Sequence, residues 1–81
     1  MFYTYIFYSE SKDRYYTGHT GNLELRIERH NSGCSRSTKS GIPWKIMYYE
    51  LYDTKAEAMH REYEIKKQKS KKYIKELISQ L

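Results

Sequence analysis

Residues 2–8, Phe-Tyr-Thr-Tyr-Ile-Phe-Tyr, are aromatic or β-branched without a break. Such a run suits a strand covered on both faces. Ser9 to Asp13 is a polar turn, and Arg14 to Thr17 resumes strand character until Gly18. Two runs joined by a short polar segment predict a hairpin. Thr20, Gly21 and Asn22 offer N-cap chemistry, so a helix is expected from there to about Asn31, stopped at Gly33. Its apolar row is Leu23 and Ile27. Arg26 and His30 lie one row over, at i and i+4, and point the same way. Ser32 to Pro43 collects Gly33, Gly41, several serines, Arg36 and Lys39, and predicts a flexible basic loop. Trp44 to Leu51 predicts a third strand. Thr54-Lys55-Ala56-Glu57 is a capping box opening a second helix, whose inner side is expected at Ala56, Ala58, Met59, Tyr63 and Ile65. Ser70 can cap a last helix in which Ile74, Leu77, Ile78 and Leu81 recur at helical spacing. The order is β-β-α-β-α-α. With no internal repeat or linker, it predicts one α+β domain over residues 1–81.

A chain of 81 residues buries only roughly 60–65% of its unfolded surface. Aromatic rings must therefore carry much of the core, and ten tyrosines fit that need, each keeping a polar tip. Lys and Arg number 15 against 10 Asp and Glu, a net charge of +5. That excess favours a polyanion, either nucleic acid or an acidic membrane surface, with nucleic acid the better fit. Cys34 is the only cysteine, so no internal disulfide is expected. It has no Cys or His at metal-ligand spacing and is expected to be incidental. A cytoplasmic setting is the natural expectation for such a chain. No apolar run approaches the roughly 18 residues of a membrane span. The opening Met1-Phe2-Tyr3-Thr4-Tyr5 lacks a basic n-region and is expected to be a strand rather than a signal peptide.

Glu62 is the sharpest polar candidate. It falls four after Ala58 and three after Met59, on the expected inner side of its helix. It could be an edge carboxylate paired with Lys66 at i+4, or a ligand for Mg²⁺ or Mn²⁺. Arg26 could clamp a phosphate and stabilise charge developing on phosphorus, or simply be a solvated helix arginine near Glu24, Glu28 and Arg29. His30 could move a proton near neutral pH or be a structural hydrogen-bonder. His19 and His60 rank below it. Tyr5 and Tyr16 are core residues or, with help from a cation, proton acceptors. No Ser-His-Asp order, Walker loop or H-E-x-x-H pattern is present.

Taken in order, these stretches resemble the GIY-YIG nuclease superfamily, and within it the small stand-alone bacterial members. The first signature strand appears as Tyr3-Thr4-Tyr5 and the second as Tyr16-Thr17-Gly18. Gly18 to Gly33 looks like the family's arginine motif, Pro43 to Glu50 like its third strand, and Ala58 to Lys66 like its glutamate helix. The first-motif glycine is replaced by Tyr3 and its isoleucine by Thr4, while His19 follows Gly18. The resemblance implies a three-stranded antiparallel sheet flanked by helices, with Tyr5, Tyr16, Arg26, His30 and Glu62 as the catalytic set on a concave face. It implies a divalent cation, Mg²⁺ or Mn²⁺, held by Glu62. Tyr16 or Tyr5 would activate water, Arg26 would stabilise the transition state, and His30 would orient or relay a proton. Arg36, Lys39 and Lys66 are the expected nucleic-acid contacts, with DNA favoured over RNA, no membrane, and a protein partner or homodimer left open.

The activity so implied is metal-dependent endonucleolytic hydrolysis, structure-selective on DNA in repair or recombination. The alternatives are a catalytically weak module that grips nucleic acid or protein on the same fold, and a small structural protein with a solvated basic face.

Overall fold

The structure, a computed structural model, describes residues 1–33 and 36–80, without the side chain of Ser37. The expectations for Cys34 and for Leu81 as the end of the last apolar row fall outside the described residues. The elements are β1 (Phe2–Ser9), β2 (Arg14–Thr20), α1 (Leu23–Ser32), α2 (Arg36–Lys39), β3 (Trp44–Tyr52), α3 (Lys55–Gln68) and α4 (Lys71–Ile78). The strands form one antiparallel sheet in the order β2-β1-β3. This is the expected α+β architecture, with α2 as an extra turn of helix.

The aromatic, β-branched run puts β1 in the middle, where both faces are covered. Alternate side chains leave a strand on opposite faces. Ile6 joins Tyr48, Ile65 and Leu77 on the face covered by α3 and α4, whereas Tyr5 and Phe7 join Trp44, with Leu23 and Ile27 of α1 packed against them. Thr4, which shares the Ile6 face, donates its hydroxyl to the carbonyl of Ala58 at 2.8 Å and ties β1 to α3. Ile6 and Phe7 are fully buried. Each such side chain contributes roughly 1.5–3 kcal/mol, a large share for so small a fold.

A bulge in β3 shapes both cores. Ile6 pairs with Tyr48 but Phe7 pairs with Ile46, so Met47 is the extra residue. Trp44 and Tyr48 are an even number of residues apart and a regular strand would place them on one face. The extra residue reverses the alternation, and Trp44 enters the α1-side core while Tyr48 enters the other.

The caps follow the local sequence. The Asn22 side chain accepts from Leu25 N at 3.0 Å, and α1 ends at Gly33 with φ 82°. Thr54 and Glu57 form the reciprocal capping box, and Ser70 accepts from Tyr73 N at 3.1 Å.

Three expectations change. The second strand continues through Gly18 to Thr20 because its whole length pairs with Tyr3–Ser9. The segment expected to be a flexible loop contains α2 and is docked on Trp44, whose Nε1 donates to Thr38 O at 2.8 Å. A Cβ at Gly41 would lie 2.4 Å from the indole, so glycine is what lets the segment close over the ring. Arg36 and Lys39 remain exposed. Finally, the inner stripe of α3 is Ala58, Arg61, Glu62 and Ile65, while Ala56, Met59 and Tyr63 are exposed. At about 100° per residue, positions 58, 61, 62 and 65 form one face, and the other three fall outside it.

Polar residues on the α3 side are satisfied among themselves. Glu50 accepts from Tyr48 Oη, from Tyr52 Oη at 2.5 Å, and from Arg61 Nε and Nη2 at 2.9 and 3.2 Å. Arg61 Nη1 also donates to Tyr73 Oη at 3.3 Å, joining α3 to α4. No helix among the described residues is long and apolar enough to cross a membrane.

Candidate active site

Tyr5 pairs across the sheet with Gly18 of the edge strand. A Cβ at Gly18 would stand 2.5 Å from the Tyr5 hydroxyl oxygen. The missing side chain is thus a notch through which the central-strand tyrosine lays its hydroxyl over β2. Tyr16 sits diagonally, opposite Phe7, with its ring stacked 6.4 Å from that of Tyr5. Both tyrosines lie on the α1 side, and α1 supplies Arg26. The Arg26 guanidinium is half-buried and has no acidic partner among the described residues.

Glu62 arrives from the other side of the sheet. Its side chain is 18% exposed; Oε1 lies 2.5 Å from His19 Nδ1 and Oε2 accepts from Lys66 Nζ at 2.6 Å. His19 follows Gly18 in β2, so strand alternation turns it toward α3 while Gly18 faces Tyr5. Groups from both faces therefore meet around the open edge of β2. The Tyr5 hydroxyl registers the meeting. Burial pushes it above the ordinary phenol range, Arg26 opposes that shift, and Tyr16 and Glu62 reinforce it. The Gly18 notch, the stacked tyrosines and the His19–Glu62 pair one residue along β2 bring Tyr5, Tyr16 and Glu62 to one strand edge, with Arg26 on the helix that packs over the tyrosines.

Burial acts to raise the Glu62 carboxyl, but the hydrogen bonds from Lys66 and His19 outweigh it and hold the group below its usual range. Glu62 is thus ionised at neutral pH. Among the described residues no group of three or more His, Cys, Asp or Glu could cage a metal. An ionised carboxylate at an open edge still fits Mg²⁺ or Mn²⁺, which often take one or two protein carboxylates and complete their shell with water and phosphate. The competing Lys66 is 54% exposed, so its ammonium can move into solvent.

His30 is elsewhere. It is 4% exposed, enclosed by the rings of Tyr5, Phe7, Tyr16 and Trp44 at 6.4, 5.1, 4.8 and 6.1 Å, and its Nδ1–H donates to Arg26 O at 3.1 Å. Its Nε2 is buried with no hydrogen-bond partner among the described residues. Burial lowers its pKa below the ordinary imidazole value, and the Arg26 carbonyl only partly offsets this. The unfolded chain thus takes a proton near pH 6.5 that the fold resists. Stability is full above that pH and falls as pH drops below it toward the folded value. In an NMR titration the His30 imidazole should titrate below free imidazole. A midpoint at or above 6.5 would show that the ring is not sequestered.

The remaining candidates are dispersed. Lys66 flanks the site through Glu62. Arg36 and Lys39 sit on α2, whose docked segment shares a cleft of about 140 Å³ with Arg14, Tyr15 and Tyr16. His60 is exposed beside Glu64 at 3.7 Å, on the outer side of α3. The residue underrated from sequence is His19. Its signal was strand parity, since a residue next to Gly18 must face the helix that carries Glu62.

Comparison with known proteins agrees with this arrangement. The family model described as the GIY-YIG catalytic domain matches residues 1–75. A UPF0213 protein of Clostridium perfringens is 46% identical over 65 residues, covering 78% of this chain and 70% of its own length. One from Staphylococcus saprophyticus is 44% identical over 77 residues, covering 89% and 94%. The solution NMR structure of a UPF0213 protein from Bacillus halodurans superposes with a TM-score of 0.59 at 32% identity, over 98% of this chain and 84% of that one. The chain therefore belongs to the GIY-YIG family and has the nuclease-type fold that family shares with its UPF0213 relatives.

Proposed function

We propose that this protein is a metal-dependent endonuclease that hydrolyses phosphodiester bonds, selecting DNA by structure in repair or recombination. The observation that carries this reading is the notch at Gly18, where the Tyr5 hydroxyl and the stacked Tyr16 ring lie beside the His19-held Glu62 carboxylate at an open strand edge. A scissile phosphate seated there meets an arginine from one side of the sheet and a carboxylate from the other.

Arg26 has no competing acid among the described residues, so its N–H groups are available for two parallel hydrogen bonds to phosphate oxygens. Those bonds strengthen as negative charge builds on phosphorus. Tyr5 is held protonated by its burial and donates to a phosphate oxygen or to the attacking water. Tyr16, less buried at the same edge, accepts the water's proton as its own hydroxyl proton passes on through solvent toward the leaving oxygen. The water oxygen bonds to phosphorus, the bond to the leaving sugar oxygen breaks, and that oxygen receives a proton. A divalent ion held by Glu62 would supply Lewis-acid charge at the phosphate. His19 holds one oxygen of Glu62 and fixes the carboxylate's direction, a positioning role. Lys66, Arg36 and Lys39 contribute backbone attraction.

The decisive experiment is one panel of labelled single strand, duplex, flap, nicked duplex and RNA, incubated with Mg²⁺ or Mn²⁺. Wild type should cut at least one DNA form, and Glu62→Ala should cut it about 10²–10³-fold more slowly. Binding without cleavage in every arm would instead identify a nucleic-acid-binding module.

A further inference from the structure

A groove of about 460 Å³ lies between β2, the end of α3 and the start of α4. Its size lies in the range of sites that hold small organic groups, roughly 300–1,000 Å³. Tyr15, Ile65 and Ile74 give it an aromatic and aliphatic lining. Four cations, Arg14, Lys66, Lys69 and Lys71, stand around it against one carboxylate, Asp13. That carboxylate is already engaged by Lys71 at 2.6 Å. Arg14 and Lys69 have no ion-pair partner among the described residues. Lys66 lines the groove and also pairs with Glu62, so the groove lies one side chain from the candidate active site.

We infer that this groove receives an unpaired nucleobase adjoining the scissile phosphate, with Arg14 and Lys69 on the neighbouring phosphates. The inference rests on the nuclease reading for the word scissile, but the binding site stands on its own geometry. Two features select this occupant. A cationic rim around an apolar floor suits a ligand that is anionic along its backbone and flat and apolar in its side groups. A paired strand cannot use the floor, since its bases are stacked within the helix and it offers only phosphates. An unstacked base can lie against Tyr15, as bases lie on aromatic platforms in other single-strand sites. The substrate class is therefore nucleic acid with a free strand at the cut: a flap, gap, loop or single strand.

The test is binding and photocrosslinking without metal, in chelator, so that it does not depend on turnover. A single strand carrying one 5-iodouracil, in DNA and RNA forms, is compared with a blunt duplex of the same sequence. Wild type should bind the unpaired strand about tenfold or more tightly than the duplex. Irradiation should attach the base within β2, at Tyr15 or Tyr16. Tyr15→Ala should remove most of that preference. Tyr15 also packs on the core beside Ile6, so the exposed pair Arg14→Glu and Lys69→Glu provides a variant that keeps the fold; it should weaken single-strand binding at least tenfold. Equal affinity for duplex and single strand, crosslinks confined to other elements, or wild-type binding by the Arg14/Lys69 variant would each overturn the inference. Groove binding with no cleavage in any metal would retire the nuclease reading and leave this site standing. Cleavage with crosslinks elsewhere would do the reverse.

Discussion

Arg26→Ala is expected to lower turnover by about 10²-fold or more while changing substrate affinity far less. Arg26 is half-buried on α1, the helix packed on the Tyr5 side of the sheet, and lacks an acidic partner among the described residues. A cation so placed acts most strongly where negative charge is greatest, which is on phosphorus in the transition state rather than on the resting diester. Arg26→Lys keeps the charge but loses the planar fork and should recover only part of the rate. Single-turnover cleavage and equilibrium binding on the same labelled flap separate the two effects. An equal loss in both would make Arg26 a binding residue only.

The largest expected effect on stability comes from Glu50→Ala. The substitution takes two donors' acceptor from Arg61, whose side chain is only 20% exposed, and leaves the hydroxyls of Tyr48 and Tyr52 without theirs. Stranding a partly buried cation and two phenols costs about 2–4 kcal/mol. For a domain of this size that lowers Tm by about 10–20 °C. Burial acts to raise the Glu50 carboxyl, but Arg61 and the two tyrosines outweigh it and hold it low. The cluster's contribution is thus complete above the unfolded carboxyl value near 4.3 and is lost as pH falls through the folded value. Thermal unfolding at pH 7 beside Glu10→Ala provides the check, because the Lys45–Glu10 pair is largely solvated at 59% and 72% exposure. Similar melting of both variants would place the stability of the α3–β3 contact elsewhere.

Much of the fold was legible because its signals are local. A strand run, an Asn cap, a capping box and a glycine stop each act within a few residues, and each is where the sequence puts it. What escaped depends on partners distant in the chain. The β3 bulge at Met47 cannot be read from Trp44–Leu51, since only pairing with β1 reveals the extra residue. The docking of the 36–43 segment depends on Gly41 meeting an indole, which no composition rule for glycine-rich loops anticipates. On α3, apolar character misled. Met59 and Tyr63 look like core residues but lie outward, while Arg61 turns inward because Glu50 waits for it across the sheet. In the candidate site, Tyr5, Tyr16, Arg26 and Glu62 were visible as an ordered set. His30 was visible too, but its enclosure by four rings depends on the packed α1-side core. His19 was underrated because its importance comes from strand parity and not from its own neighbours.

The notch at Gly18 has a consequence for how damage spreads. The elements that meet there rest on separate cores: Tyr5, Tyr16 and α1 on the one around Phe7 and Trp44, and α3, which carries Glu62, on the one around Ile6 and Ile65. The sheet is common to both. A cavity cut into the first core is expected to disturb the tyrosines and spare the carboxylate, and a cavity in the second to do the opposite. The two halves of the candidate site can thus drift independently through sequence change, and they are kept in step by a strand edge with no side chain at the point where they meet.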